Sequence, residues 1–330
     1  MDVYIGIDVA CAKDKYLPIV ICTKDNNRLV PLPLTKHPAS PPKGFGNAGT
    51  LQPELNIAYA KAAREYIELI CHGYHLNPIR IGIDAPLKPR ANHLQRRFAE
   101  QALDKTGISC FTTPSEQDFL KITAKGRAHL KAGKPVPNLP HAMQLWMLAG
   151  FAIADELSKL TSCIEVYPQA TARYLGIADK HKTTKGQAEQ QLHSISQYSG
   201  WPASADEWQQ LSAICYGATH DKVDAYSAAW VASLPERQRV ALGKPEHDDA
   251  IWVPALKAPQ PTKEHQTFTE SDAHTENAAY QRMCPACGEH NFKRWPFGWD
   301  AHAAHRCTGL TGHGTESRKA EFKKKFLSPP

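Results

Sequence analysis

The chain has 330 residues, of which 42% are hydrophobic and 22% are charged, and its formal net charge is +6. This composition is typical of a globular protein with a buried core. No apolar stretch approaches the roughly 20 residues that cross a bilayer, and the acidic Asp2 lies where a secretory signal would have basic residues. We therefore expect no membrane span. Because the nine cysteines are odd in number and mostly isolated, we expect a reducing, cytoplasmic location.

The positive charge is concentrated near the C-terminus. Residues 281–330 contain nine Lys/Arg and four Asp/Glu, so they account for +5 of the net charge of +6. A basic appendage on a nearly neutral body predicts a polyanionic partner such as nucleic acid. The alternative is a tail that only improves solubility.

The first part of the chain predicts a mixed sheet. Residues 3–7, 16–22 and 29–34 are apolar stretches with turn residues between them, which is typical of an antiparallel meander. Apolar residues at helical spacing predict a helix over 56–72, and 79–83 predicts another strand. The order β-β-β-α-β indicates an α/β fold in which helices flank a mixed sheet.

The following residues alternate helices with strands. Helices are predicted over 92–105, 141–159, 186–199, 204–217 and 220–234, and strands over 163–167 and 250–253. The helix over 220–234 is expected to bury one stripe of side chains, namely Val223, Tyr226, Trp230 and Leu234. The polar, proline-containing segment 110–140 is predicted to be a surface excursion.

Five acidic residues lie at the ends of apolar strands or on an amphipathic helix. They are Asp8, Asp84, Glu165, Asp221 and Asp224. If the strands before Asp8 and Asp84 are parallel neighbours, both acids leave the sheet at one edge, about 4.8 Å apart. Each acid alone could equally be a helix cap, a turn residue or half of a structural ion pair.

Clustered carboxylates repel one another unless a cation neutralises them. Because hard oxygen ligands suit Mg²⁺ and Mn²⁺, these acids together predict a site for one of these ions. The predicted metal ligands are Asp8, Asp84, Glu165 and Asp224, with Asp221 as a further catalytic residue. Two such ions about 3.5–4 Å apart can hydrolyse phosphodiester bonds. The leading hypothesis is therefore a metal-dependent nuclease.

Basic residues near this edge are candidates for binding phosphates. They are Lys88, Arg90, Arg96, Arg97, Lys182 and Lys185. Lys182 and Lys185 precede a predicted helix, whose N-terminus also favours anions. For Arg96 and Arg97, a solvated charged face is the alternative.

A Cys/His module near the C-terminus predicts a structural Zn²⁺ site. Cys284, Cys287, His302 and Cys307 follow the spacing C-x2-C-x14-H-x4-C, with His305 as a rival ligand. Metal binding would supply its folding energy. Lys293 and Arg294 could bind nucleic-acid phosphates, and docking of a protein partner is the alternative.

These features predict four segments. Residues 1–254 form the catalytic domain and 255–280, rich in Pro, Thr, Glu, His and Ser, form a flexible linker. Residues 281–310 form the zinc-finger module and 311–330 a basic tail.

Several motifs, in this order, resemble domain of unknown function 429 over residues 3–254. They are GIDVA, GIDAPL, CIEVYPQ, the Lys-x-x-Lys-Gly stretch at 182–186, HDKVDAYSAAWVA and IWVP. That family is described as predicted nucleases, so the resemblance implies a ribonuclease-H-like fold and nuclease activity. By resemblance, Asp8, Asp84, Glu165 and Asp224 match the acidic motif positions, with Asp221 beside them.

The chain departs from the family pattern in one motif. CIEVYPQ resembles E-x-x-P-E with Gln169 in the last place, so one carboxylate is missing. This departure favours the alternative of a non-catalytic adaptor that binds nucleic acid or protein on the same fold. A phosphotransferase related to the actin-like kinases is a third hypothesis, but the chain lacks their paired glycine-rich phosphate loops.

Overall fold

The computed structural model describes residues 1–25, 27–177 and 185–256, without the side chain of Lys185. The predicted linker, zinc module and tail lie outside this part, apart from residues 255–256. So do the following residues with a predicted site role: Lys182, Cys284, Cys287, Lys293, Arg294, His302, His305 and Cys307.

The described residues form a mixed seven-stranded sheet in the order β3-β2-β1-β4-β5-β7-β6. Its strands are β1 (Asp2–Asp8), β2 (Ile19–Asp25), β3 (Arg28–Pro31), β4 (Asn77–Asp84), β5 (Ser162–Val166), β6 (Arg239–Lys244) and β7 (Asp249–Pro254). Strands β1 to β3 are the predicted antiparallel meander. β1, β4, β5 and β7 run parallel to one another, and β6 is antiparallel to β7.

Helices cover both faces of the sheet. They are α1 (Pro53–Gly73), α2 (Phe98–Lys105), α3 (Glu116–Lys131), α4 (Ala142–Leu157), α5 (Pro168–Tyr174), α6 (Lys185–Ser199), α7 (Ala205–Gln210) and α8 (Thr219–Ser233). Because side chains alternate along a strand, Val3, Ile5 and Ile7 of β1 face α1 and α4. The opposite face packs against α6 and α8. Among the described helices, none is both long and apolar enough to span a bilayer.

Helix α8 is more deeply buried than its sequence suggests. Instead of one buried stripe, all residues from Val223 to Ser233 are buried, because α8 lies between the sheet and α6. Small residues allow a close approach to the sheet. A Cβ at Gly6 would lie 1.8 Å from the Ala225 carbonyl oxygen, and one at Gly82 would lie 2.2 Å from that of Ala228.

Other differences from the sequence prediction lie in the connections. The segment 110–140, predicted as a surface excursion, contains α3 with a Ser115–Asp118 capping box, and it buries Phe119 and Ile122 beside α4. The short helix α5 and the edge strand β6 were not predicted. β2 begins at Ile19 rather than near residue 16, because Tyr16 pairs with Lys43 of a neighbouring loop instead.

Candidate metal centre

Three aspartates converge at the carboxyl edge of the central strands. Asp8 ends β1 and Asp84 ends β4, and the two residues are direct partners in the parallel register. Asp224 comes from the second turn of α8. One carboxylate oxygen from each residue lies within 4.8 Å of the others. We call these three residues the acidic centre.

The glycines of the sheet position Asp224. Gly6 and Gly82 are paired in register two residues before Asp8 and Asp84. Because neither has a side chain, the α8 backbone at Ala225 approaches the sheet directly. Asp224 immediately precedes that contact, so close packing brings its carboxylate to the ends of β1 and β4.

The chemistry of the acidic centre fits a hard divalent cation. Asp8 and Asp224 are buried, whereas Asp84 is partly exposed and gives the centre an opening to solvent. All the donor atoms are carboxylate oxygens, which Mg²⁺ and Mn²⁺ prefer over softer ligands. Oxygens on opposite sides of one Mg²⁺ are about 4.2 Å apart, so the three oxygens would need to approach one another only slightly to share one ion.

Backbone contacts fix the segment that follows Asp8. The Asp8 amide donates to the Pro18 carbonyl at 3.2 Å, and the Tyr59 hydroxyl donates to the Ala10 carbonyl at 2.7 Å. Burial raises the pKa of Tyr59 well above its usual value, and the nearby Cys11 and Asp8 raise it further. Tyr59 therefore remains a neutral donor. Its role was not predicted, because it lies on a helix about 50 residues away with no local motif.

Glu165 lies on the next strand but belongs to a different set of contacts. Its two oxygens accept hydrogen bonds from Arg97 Nη1 at 3.0 Å and Nη2 at 2.6 Å. Arg97 Nε donates to Asp249 at 3.0 Å. All three residues are buried. Glu165 was predicted to join the metal ligands, but the structure places it in this ion network, which we call the Arg97 network.

The charges of the Arg97 network stabilise one another. Burial alone would lower the pKa of Arg97, but Glu165, Asp249 and Glu100 outweigh it and raise the pKa. Burial raises the pKa of the Glu165 carboxyl, and Arg97 opposes that change. The Leu87 amide also lowers the pKa of Glu165. Glu165 is therefore held by Arg97 and is not one of the three clustered carboxylates.

Asp221 has the contacts of a helix cap. Its carboxylate accepts from the Ala218 amide at 2.8 Å at the start of α8, and its other oxygen lies 3.0 Å from His220 Nε2. It is three residues before Asp224, as the sequence predicts, but it is not among the three clustered carboxylates. This is the capping alternative that the sequence left open.

The predicted phosphate-binding cations near β4 contact acids of the protein. Arg96 lies 3.1 Å from Asp104 and 3.8 Å from Glu100. Lys88 pairs with Asp248 at 3.0 Å and Arg90 with Asp118 at 2.7 Å, while Arg97 belongs to the network above. Lys185 begins α6, but its side chain lies outside the described part. The pairs of Lys88 and Arg90 join residues 160 and 28 positions apart, so they leave no local signal in the sequence.

Comparison with known proteins identifies the family of the body. The family model described as "Protein of unknown function (DUF429)" matches residues 6–247, which include the acidic centre and the Arg97 network except for Asp249. No curated protein and no solved structure matches the chain. The chain therefore belongs to the DUF429 family.

Proposed function

We propose that this protein is a metal-dependent nuclease whose acidic centre hydrolyses phosphodiester bonds. The observation that supports this most directly is the convergence of Asp8, Asp84 and Asp224 within 4.8 Å. The three residues come from β1, β4 and α8, so the fold and not their closeness in sequence brings them together. Carboxylate oxygens are the ligands that Mg²⁺ and Mn²⁺ prefer.

The proposed mechanism assigns different roles to the three carboxylates. Asp8 and Asp224 are buried and would hold Mg²⁺ or Mn²⁺ from below, while the partly exposed Asp84 lies where a phosphate can approach. The ion, when bound, would lower the pKa of the attacking water and stabilise charge on the leaving oxygen. The backbone bonds at Asp8 and Ala10 keep the ligands in place before substrate arrives.

The strand order supports a ribonuclease-H-like assignment within this proposal. The meander β3-β2-β1 continues into the parallel strands β4 and β5. The acids at the ends of β1 and β4 lie beside one on a helix packed across them. Both features support the ribonuclease-H-like fold that we propose on the basis of the resemblance.

The test is a cleavage assay on the full chain. Single- and double-stranded DNA and RNA are incubated with Mg²⁺, with Mn²⁺ or without either. We expect metal-dependent cleavage that falls about 100-fold or more in Asp8→Asn and Asp84→Asn proteins. Asp2→Asn is the matched control, because Asp2 lies exposed at the opposite end of β1. If the Asp8→Asn and Asp84→Asn proteins cleave as fast as the Asp2→Asn control, the assignment is wrong.

We also propose that the C-terminal Cys/His module binds Zn²⁺ and helps to dock nucleic acid. Support comes from the spacing of Cys284, Cys287, His302 and Cys307 and from the basic residues around them. Mass-spectrometric metal analysis of the full chain should give one zinc per molecule, and Cys284→Ser should lose it. Retained zinc in that variant would point to other ligands.

One observation favours a second candidate function. Glu165 is engaged by Arg97 and Gln169 replaces the family's acid, so the described centre has three clustered carboxylates rather than a larger set. A non-catalytic nucleic-acid adaptor would fit such a reduced site. Nucleic-acid binding that persists in Asp8→Asn protein, without cleavage by wild-type protein under any added metal, would favour this adaptor.

A further inference from the structure

Two loops beside the acidic centre are joined into one rigid unit. Residues 11–16 follow β1, and residues 42–46 lie against them. The Asp14 amide donates to the Gly44 carbonyl at 3.0 Å, and the Gly44 amide donates to the Lys15 carbonyl at 2.7 Å. A Cβ at Gly44 would lie 2.5 Å from the Ala12 carbonyl oxygen, so the contact requires glycine. We call this unit the loop pair.

The loop pair presents three exposed lysines. They are Lys13, Lys15 and Lys43. Within the part of the chain that the structure describes, none of them forms an ion pair, and Asp14 is the one acidic residue in the two segments. The basic residues beyond β4 differ, because they contact protein carboxylates. Cations suited to external phosphates therefore lie on the β1 side of the centre.

An aromatic pair lies beside these lysines. The rings of Tyr16 and Tyr216 are 4.4 Å apart, and Lys43 Nζ lies 4.8 Å from the centre of the Tyr16 ring. Both tyrosines are partly exposed. The Pro18 carbonyl, two residues after Tyr16, accepts the Asp8 amide, and Gly217 lies against Pro18. The chain segments that carry the two rings therefore meet at Pro18, whose carbonyl accepts the Asp8 amide.

We propose that the loop pair and the two tyrosines bind a single strand of nucleic acid and lead it to the acidic centre. The lysines would contact successive phosphates, and Tyr16 and Tyr216 would contact an unpaired base. Aromatic stacking requires exposed base faces, which a duplex conceals, so the surface favours a single strand. This inference rests on the proposed nuclease function and deepens it by naming the substrate class.

The test measures binding separately from cleavage. Fluorescence anisotropy follows a labelled 20-mer of thymidylate and a 20-base-pair duplex, in buffer without added Mg²⁺ or Mn²⁺. The test variant replaces Lys13, Lys15 and Lys43 of the full chain by glutamine. The matched control replaces three exposed lysines near the end of α3, Lys125, Lys131 and Lys134, and therefore removes the same charge.

We expect the loop-pair variant to bind the single strand about tenfold more weakly. Its plot of log K against log salt should be shallower by about 2, because each phosphate contact on a single strand contributes about 0.7. The α3 control should retain the wild-type slope. If the triple variant fails to fold, single Lys→Gln variants replace it. Each single variant should make the slope shallower by about 0.7. Equal binding by the loop-pair variant and the α3 control would overturn the proposal.

A second pair of variants tests the aromatic contact. Tyr16→Leu and Tyr216→Leu should weaken binding of the single strand and leave duplex binding unchanged; equal losses for both ligands would overturn the single-strand preference. If wild-type protein binds as expected but cuts nothing, the nuclease assignment fails while this surface stands. If cleavage depends on Asp8 but the lysine variants bind like wild type, the surface fails while the nuclease assignment stands.

Discussion

Two groups of carboxylates lie at the same sheet, and their surroundings differ. In the Arg97 network, the Glu165 and Asp249 oxygens accept bonds from a guanidinium and from backbone amides. In the acidic centre, carboxylate oxygens from three elements lie within 4.8 Å of one another. Both groups include an acid at the end of an apolar parallel strand. The position at a strand end therefore does not by itself bring a carboxylate into the cluster.

The largest effect should come from removing the cation of the Arg97 network. Arg97→Met leaves Glu165 and Asp249 buried without their partner, so the free energy of unfolding should fall by about 3–5 kcal/mol. Urea denaturation at neutral pH measures this loss. Asp84→Asn in metal-free protein is the comparison, because it removes one of several like charges at a partly exposed position, and it should change stability by less than about 1 kcal/mol. Similar losses in both variants would remove the distinction between the two groups.

Added metal should stabilise the acidic centre but not the Arg97 network. A ligand that binds only the folded state at 100 times its dissociation constant adds about 2.7 kcal/mol. Mn²⁺ or Mg²⁺ should therefore raise the urea midpoint of wild-type protein. Asp224→Asn should abolish this increase. An equal increase in that variant would place the ion elsewhere in the chain.

A smaller effect is expected where the helix meets the sheet. Gly6→Ala places a methyl group 1.8 Å from the Ala225 carbonyl oxygen, so α8 must move and stability should fall by about 1–3 kcal/mol. Metal affinity should weaken as well, because Asp224 moves with α8. Gly73→Ala meets no atom within 4 Å and should stay within about 0.5 kcal/mol of wild type. Unchanged metal affinity in Gly6→Ala would show that the close approach does not position Asp224.

The sequence predicts the acidic centre better than it predicts the Arg97 network, for a physical reason. The apolar runs of β1 and β4 and their termination at Asp8 and Asp84 are local patterns, and parallel pairing brings the two ends together. The pairing of Glu165 with Arg97 joins residues 68 positions apart. The two strand-end contexts look alike in sequence, so Glu165 was predicted to be a ligand.

The helices show the same dependence on distant contacts. The stripe on α8 was expected to pack against the sheet, but Tyr226 and Trp230 pack against Trp201 and Tyr198, at and just after the end of α6. The alanines at 225, 228 and 229 meet the sheet glycines instead. Helix α3 had a usable signal, since Ser115 and Asp118 have the spacing of a capping box. Its many charged residues indicated an exposed segment, although Phe119 and Ile122 are buried. Local patterns therefore locate elements, while partners across the fold decide what each face contacts.

The smallest expected effect distinguishes a ligand from a residue that supports one. Glu165→Gln removes the charge and keeps the size of the side chain, so Asp84 should stay in place. Its metal affinity should change by less than about threefold, which is under 1 kcal/mol, although stability falls because Arg97 loses one of its carboxylates. Isothermal titration of Mn²⁺ compares it with Asp84→Asn, which should lose binding. An equal loss in Glu165→Gln would make Glu165 a ligand after all and would require the Arg97 pair to open when metal binds.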